Sequence, residues 1–197
     1  MIKKTLPMLL TLLIAGCSAC SEPTDPIVEE EPSPITWDEC GHDMGDHPCD
    51  LTLKDQNGDD WNLYDNYGSL IILDFSAEWC YYCQVAAADA QALQDAYADV
   101  GLIYVTIMIE DGLGNPPSPE MISRWADHFG IEAPVLAGSR DLIDSGDGEG
   151  WEIAGWPTFY FIDREMVISK AMQGYSDETM ITIIDLMLVE GQAGEEQ

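Results

Sequence analysis

Two cysteines separated by two residues, Cys80 and Cys83, are the residues of this sequence best suited to chemistry. They enclose Tyr81 and Tyr82 and follow an apolar run, which places them where a strand ends and a helix begins. This spacing lets the sulfurs meet across one helical turn, and the free N–H groups of a helix N-terminus favour the nucleophilic thiolate. The pair could instead form half of a zinc site, but the second such pair that zinc requires is missing. The predicted chemistry is therefore dithiol-disulfide exchange.

An acidic residue interrupts the apolar run before the cysteines. Residues 70–75 read Leu-Ile-Ile-Leu-Asp-Phe, which predicts a central strand buried on both faces with Asp74 inside it. The second apolar stretch, residues 103–109, offers no lysine to neutralise this acid. We therefore expect burial to raise the pKa of Asp74, as suits a proton shuttle. The alternative is an acid that is only structural or faces solvent.

A second motif, Gly-Trp-Pro-Thr at residues 155–158, comes directly before a predicted strand. Asp74, the segment Trp79-Cys80-Tyr81-Tyr82-Cys83 and this distant motif together resemble the thioredoxin superfamily. The resemblance is greatest to the redoxin-related, membrane-anchored periplasmic reductases of the TlpA/ResA type, and it covers roughly residues 51–189.

The resemblance implies a role for each matching residue. Cys80 would be the exposed nucleophile, Cys83 the buried resolving cysteine, and Asp74 the acid that assists proton transfer. Trp79 and Trp156 could instead be ordinary core aromatics. The implied substrate-binding residues are Trp79, Tyr81, Tyr82, Trp156 and a cis-Pro157.

The implied activity is that of an enzyme, a thiol-disulfide oxidoreductase that reduces disulfides of exported proteins and needs no cofactor or metal. Its electrons would come from a membrane thiol-disulfide donor. The dipeptide Tyr81-Tyr82 departs from the Gly-Pro or Glu-Pro common in relatives, so the reduction potential cannot be carried over. Residues 129–135 resemble the insertion of redoxin and peroxiredoxin relatives, but the peroxidatic Pro-x-x-x-Thr-x-x-Cys motif is absent.

Two other classes of protein remain as alternatives at this point. A copper metallochaperone of the Sco type would use both cysteines with a histidine or methionine. Proteins of that type, however, carry a Cys-x-x-x-Cys motif and a distal histidine that this sequence does not clearly offer. A non-catalytic binding module would keep the fold and hold the cysteine pair as a permanent disulfide.

The N-terminus predicts export. Residues 1–16 combine lysines, an apolar stretch and small residues before Cys17, which resembles a bacterial lipoprotein signal and implies lipidation of Cys17. A plain secretory signal is the alternative. Residues 17–39 are acidic and proline-rich, as in an extended tether. We expect a lipid-anchored protein of the cell envelope that faces the periplasm, and Ser18 favours the outer membrane because a retaining aspartate is absent.

Export also decides the expected state of the other cysteines. Cys40 and Cys49 enclose a short loop with glycine and proline, which predicts a structural disulfide in an oxidising compartment. Two histidines and two aspartates within the loop leave a metal site as the alternative. Cys20 is the expected unpaired cysteine.

Composition excludes some partners. Asp and Glu number 37 against 7 Lys and Arg, for a net charge of −30. Nucleic acids and anionic membranes are bound through clustered basic residues, so we expect no nucleic-acid partner. A hydrophobic fraction of 46% is enough for a globular core.

The elements predicted around these motifs define an α/β, thioredoxin-like fold. A hairpin with a type I′ turn at Asn57-Gly58 would precede a mixed central β-sheet flanked by helices, with an insertion before the cis-Pro loop. The domain would span residues 40–191, followed by a disordered tail at 192–197. The predicted strands are 70–75, 102–109, 158–162 and 167–172, and the predicted helices are 84–97, 119–129 and 177–189, the last one capped by Ser176.

Overall fold

The computed structural model describes residues 34–194, with the side chains of 34–191. The predicted signal segment, Cys17 and Cys20 lie outside the described residues. The strands are Thr52–Lys54 (β1), Asp60–Asn62 (β2), Leu70–Ala77 (β3), Leu102–Glu110 (β4), Val135–Ala137 (β5), Thr158–Ile162 (β6) and Ile168–Gln173 (β7). The helices are Tyr81–Tyr97 (α1), Pro119–Phe129 (α2) and Asp177–Gly194 (α3).

The central sheet is mixed and has the strand order β5-β4-β3-β6-β7. Strand β3 lies at its centre, parallel to β4 and antiparallel to β6. This is the predicted thioredoxin-like arrangement, with the separate hairpin β1-β2 before it. The central position explains why every residue of β3 is buried.

Each face of the sheet has its own hydrophobic core. Alternate β3 residues such as Leu70 and Ile72 pack with the three helices, whereas Ile71 and Leu73 pack with the N-terminal segment and Trp151 on the other face. Side chains alternate along a strand, so Asp74 lies on the helix-covered face. The strand therefore directs this acid toward the side that carries α1.

Helix α2 forms where the sequence predicts it. The Ser118 side chain accepts a hydrogen bond from the Met121 N–H, and Pro119 occupies the first turn. Gly130 ends the helix in the left-handed region with φ 67°. Both ends are therefore encoded locally.

Two predictions about the elements are wrong, and one strand was missed. The turn at Asn57-Gly58 is not type I′, because among described non-glycine residues only Met166 has positive φ. The Asp55 carboxylate instead accepts hydrogen bonds from the Asn57 and Asp59 N–H groups and closes a longer loop. The short strand β5 was not predicted, and α1 begins at Tyr81 rather than at residue 84.

Residues just outside both predicted domain limits are structured. Trp37 stacks on His47 with ring centroids 3.8 Å apart, and its indole N–H donates to the Tyr64 hydroxyl. The last residues of the predicted tether at 17–39 therefore pack on the domain. At the other end α3 continues to Gly194, beyond the predicted start of a disordered tail at residue 192. None of the helices within residues 34–194 has the length and apolar character needed to cross a bilayer.

Candidate active site

The two cysteines of the motif are in disulfide contact at the start of α1. Their Cα atoms are 5.2 Å apart. Cys80 is the N-cap residue, and its Sγ accepts a hydrogen bond from the Cys83 N–H at 3.1 Å. The helix dipole and this N–H place positive partial charge at the sulfur, which favours a thiolate there once the bond is reduced.

The exposure of the site differs from what the resemblance implies. Cys83 is fully buried, as expected of a resolving cysteine, but Cys80 is only 6% exposed and is not an open nucleophile. Its side chain turns back toward Cys83 and packs within the helix-side core. Its neighbours Trp79, Tyr81 and Tyr82 are exposed aromatic residues, with exposed fractions of 48%, 70% and 60%. We call these three side chains the aromatic collar.

Asp74 is completely buried, and no cationic side chain within residues 34–194 shifts its pKa. Its carboxylate accepts hydrogen bonds from the Ser76 hydroxyl at 2.7 Å and the Tyr104 hydroxyl at 2.9 Å. Burial is the largest effect and raises the pKa of Asp74 to about 7, although both hydrogen bonds oppose it. The expected rise of the pKa is therefore confirmed. A carboxyl group with this pKa can both take up and release a proton near neutral pH.

Tyr104 and Ser76 were not foreseen from the sequence. Tyr104 lies 30 residues from Asp74 in the chain, and burial and the neighbouring Asp74 raise its own pKa well above the usual value. It therefore stays a hydrogen-bond donor. Thr106 is the β4 residue paired with Asp74, and no hydrogen-bond partner for its buried hydroxyl lies among the described residues. Ser76, two positions from Asp74 on the same strand face, was the one partner that alternation could have identified.

Trp79 is held in place by an acid that the sequence analysis missed. Its indole N–H donates to Glu110 Oε2 at 3.0 Å, while Arg140 pairs with Oε1 of the same carboxylate. Glu110 ends β4 and is 4% exposed, and the hydrogen bond from Arg140 is the main cause of its lowered pKa. The Glu78 N–H also donates to the Glu110 carbonyl at 3.0 Å. These contacts fix the turn between β3 and α1.

The Gly-Trp-Pro-Thr segment lies beside this turn. The peptide bond between Trp156 and Pro157 is cis. The Trp156 ring contacts Trp79 edge-on, with centroids 6.1 Å apart. Pro157 is buried, and the Thr158 hydroxyl donates to the Gly155 carbonyl at 2.7 Å. The structure thus brings the distant motif and the residue before Cys80 together.

A disulfide between Cys40 and Cys49 closes the loop, and the two Cα atoms are 4.7 Å apart. Neither sulfur is therefore available as a thiolate ligand for a metal. His47 Nδ1 lies 2.8 Å from the Met166 carbonyl oxygen and serves to attach the loop. No cluster of three or more potential metal ligands occurs within residues 34–194.

The sequence of this chain is similar to a protein family and to several bacterial proteins. The AhpC/TSA family model matches residues 44–171. The thioredoxin-like protein YneN of Bacillus subtilis is 25% identical over 136 residues, which are 69% of this chain and 75% of that protein. The thiol-disulfide oxidoreductase ResA of Geobacillus thermodenitrificans is 23% identical over 131 residues, which are 66% of this chain and 70% of that protein.

Solved structures show the same fold. A thiol:disulfide interchange protein of the thioredoxin family from Chlorobium tepidum superposes with TM-score 0.59 at 21% identity, over 77% of this chain and 99% of that one. The exposed lipoprotein thioredoxin of Streptococcus pneumoniae superposes with TM-score 0.54 at 24% identity, over 72% of this chain and 99% of that one.

Proposed function

This chain belongs to the AhpC/TSA family, and on that premise we propose that it is a thiol-disulfide oxidoreductase that reduces disulfide bonds of exported proteins. The observation that carries the proposal is the Cys80–Cys83 pair at the N-terminus of α1, with Sγ of Cys80 hydrogen-bonded to the Cys83 N–H. A pair whose Cα atoms lie 5.2 Å apart can form a disulfide, so it can alternate between dithiol and disulfide.

The reaction takes two exchange steps. The Cys80 thiolate attacks one sulfur of the client disulfide, so that bond breaks, a mixed disulfide forms and the other client sulfur leaves as a thiolate that takes up a proton. Cys83 then attacks Sγ of Cys80, which forms the internal disulfide and releases the second client thiol. Two electrons pass from the protein to the client.

Asp74 supports the second step. The Cys83 thiol is fully buried and must lose its proton before it can attack. The carboxylate of Asp74, with a pKa of about 7, is the buried base on the helix-covered face of β3. Tyr104 and Ser76 orient it through their hydrogen bonds. The aromatic collar, Trp156 and Pro157 would contact the client chain, consistent with the edge contact between Trp79 and Trp156.

We place the protein in the cell envelope, attached by a lipid on Cys17 and facing the periplasm, with the outer membrane favoured. An exposed lipoprotein thioredoxin is among the similar structures, which is consistent with the lipid attachment. Regeneration of the dithiol requires a second dithiol, which we assign to a membrane thiol-disulfide carrier.

Trapping of clients tests the function. In Cys83→Ser the second step cannot occur, so mixed disulfides between Cys80 and client cysteines should accumulate and be visible on non-reducing gels. Cys80→Ser is the matched control, since it keeps Cys17 and Cys20 and reveals any adduct formed through them. Absence of reductant-sensitive adducts specific to Cys83→Ser would contradict the proposal.

A further inference from the structure

We propose that the surface around Cys80 selects client segments that carry lysine or arginine beside their cysteines. The inference rests on the proposed function and extends it by assigning a class of substrate. Three properties of the described residues support it, namely the exposure of the aromatic collar, the charges of the helix that carries it, and the engagement of the basic side chains of the domain.

The aromatic collar offers ring surface where a client must approach. Tyr81 and Tyr82 are 70% and 60% exposed, and their rings meet edge-on at 5.4 Å, so each leaves a face open. Trp79 is held by Glu110 and is 48% exposed. Ring faces attract the ammonium of lysine and the guanidinium of arginine. Three such rings belong to residues next to Cys80 or one position further along the chain, and their exposed surface is suited to cations.

The elements next to the collar carry negative charge. Helix α1 contains no lysine or arginine, and its charged residues are Asp89 and Asp95. Glu78 lies directly before Trp79, but its carboxylate pairs with Arg124 at 3.5 Å, so most of its charge is offset. Asp111 is half-buried next to Gly112, and hydrogen bonds from turn N–H groups lower its pKa, so it is ionised at neutral pH. A cationic client segment therefore approaches a favourable field.

Every basic side chain within residues 34–194 already has an acceptor. Four are paired with carboxylates, and the fifth, Arg164, donates to the Val100 carbonyl at 2.6 Å. The four pairs are Lys54–Asp60, Arg124–Glu78, Arg140–Glu110 and Lys170–Glu190. The unneutralised surface charge of the described domain is thus acidic, in line with −30 for the whole chain. Oppositely charged partners associate faster and like-charged partners are repelled.

The test uses the full-length reduced protein and two cyclic disulfide peptides that differ only in flanking residues, two lysines or two glutamates on each side. Second-order reduction rates are measured for both, and each is divided by the rate of the same peptide with dithiothreitol. This uncharged dithiol corrects for the intrinsic reactivity of the two disulfides. We expect the lysine peptide to react about tenfold faster at about 10 mM salt, and the advantage to fall to about twofold at about 1 M salt, where screening is nearly complete.

Variants separate the ring contribution from the general field. The double substitution Tyr81→Leu and Tyr82→Leu should reduce the lysine preference by about twofold, which is the part that remains at high salt, because two cation–π contacts are lost. The preference is a ratio, so a changed reduction potential affects both peptides alike. Tyr67→Leu is the matched control, since Tyr67 is an exposed tyrosine that contacts Trp37, and Trp37 packs on the sheet face opposite to that of Cys80 and Cys83. It should keep the full preference.

A corrected rate ratio near one, or a ratio that does not change with salt, would overturn the proposed selectivity. So would a double variant with an unchanged ratio. Neutral hydroxyethyl disulfide distinguishes this failure from failure of the proposed function. Reduction of the neutral disulfide without preference between peptides rejects only the selectivity, whereas no reduction of any disulfide rejects both.

Discussion

Substitution of Asp74 by asparagine should remove a large part of the pH dependence of stability. Asparagine has nearly the same shape and can keep one hydrogen bond with Ser76 and one with Tyr104, which now contact the carboxylate. It cannot ionise. The variant therefore isolates the cost of holding a charge at a completely buried position.

The magnitude follows from the two pKa values of this acid. Burial raises the pKa of Asp74 from 3.8 to about 7. A pKa raised on folding means that the native state binds the proton more tightly, so this stabilisation is present at low pH and is lost as pH rises toward 7. The complete change corresponds to about 4 kcal/mol, of which about 3 kcal/mol falls between about pH 5 and pH 8. The Asp74→Asn variant should lose none of this free energy of unfolding between about pH 5 and pH 8.

The assay is denaturant unfolding of the oxidised protein at several pH values, followed by tryptophan fluorescence. We expect the curves of the free energy of unfolding against pH to converge below about pH 4, near the unfolded pKa, and to be widest apart near pH 8, where the variant is more stable. Asp95→Asn is the matched control, because Asp95 is exposed on α1 and should leave the wild-type slope unchanged. Parallel pH profiles for the wild type and Asp74→Asn would refute the raised pKa.

Three further outcomes are expected. Asp74→Asn should slow the release of client from the mixed disulfide by about 100-fold, measured by quenched-flow gels, because the buried base for Cys83 is lost; an unchanged release rate would remove this acid from the mechanism. Replacement of both Cys40 and Cys49 by alanine should lower the free energy of unfolding by about 2–3 kcal/mol through the short loop they close, with exchange activity retained; loss of exchange in a folded variant would contradict a structural role. Glu110→Ala should lower the free energy of unfolding by about 1 kcal/mol and alter the near-ultraviolet circular dichroism spectrum, since the Trp79 indole loses its hydrogen-bond acceptor. An unaltered spectrum would mean that this hydrogen bond does not position the indole.

Local signals in the sequence were sufficient for several elements. The N-cap at Ser118 with Pro119 after it predicted α2 with its observed bounds. The apolar run at 158–162 gave β6, and the run at 70–75 gave most of β3. These features depend on capping and on side-chain alternation, which act within a few residues.

Other features depend on contacts between distant residues. The acceptor for Trp79 lies 31 residues away at Glu110, and nothing in the spacing identifies an acid at the end of β4 as its partner. Strand β5 has only three residues, too few for a period, and exists because it pairs with β4. The exposure of Cys80 was likewise set by packing around α1 and not by its position in the motif.

The most direct test of the central claim is the reduction potential of the Cys80–Cys83 pair. The full-length protein would be equilibrated across a redox buffer series, labelled with a thiol reagent and scored on the peptide that contains both cysteines, so that other cysteines do not contribute. A reversible two-electron transition at roughly −230 mV or lower is the predicted result for a reductase. A transition at roughly −150 mV or higher would contradict the reductase assignment, because such a pair oxidises its clients. A pair that shows no reversible transition would contradict thiol-disulfide exchange itself.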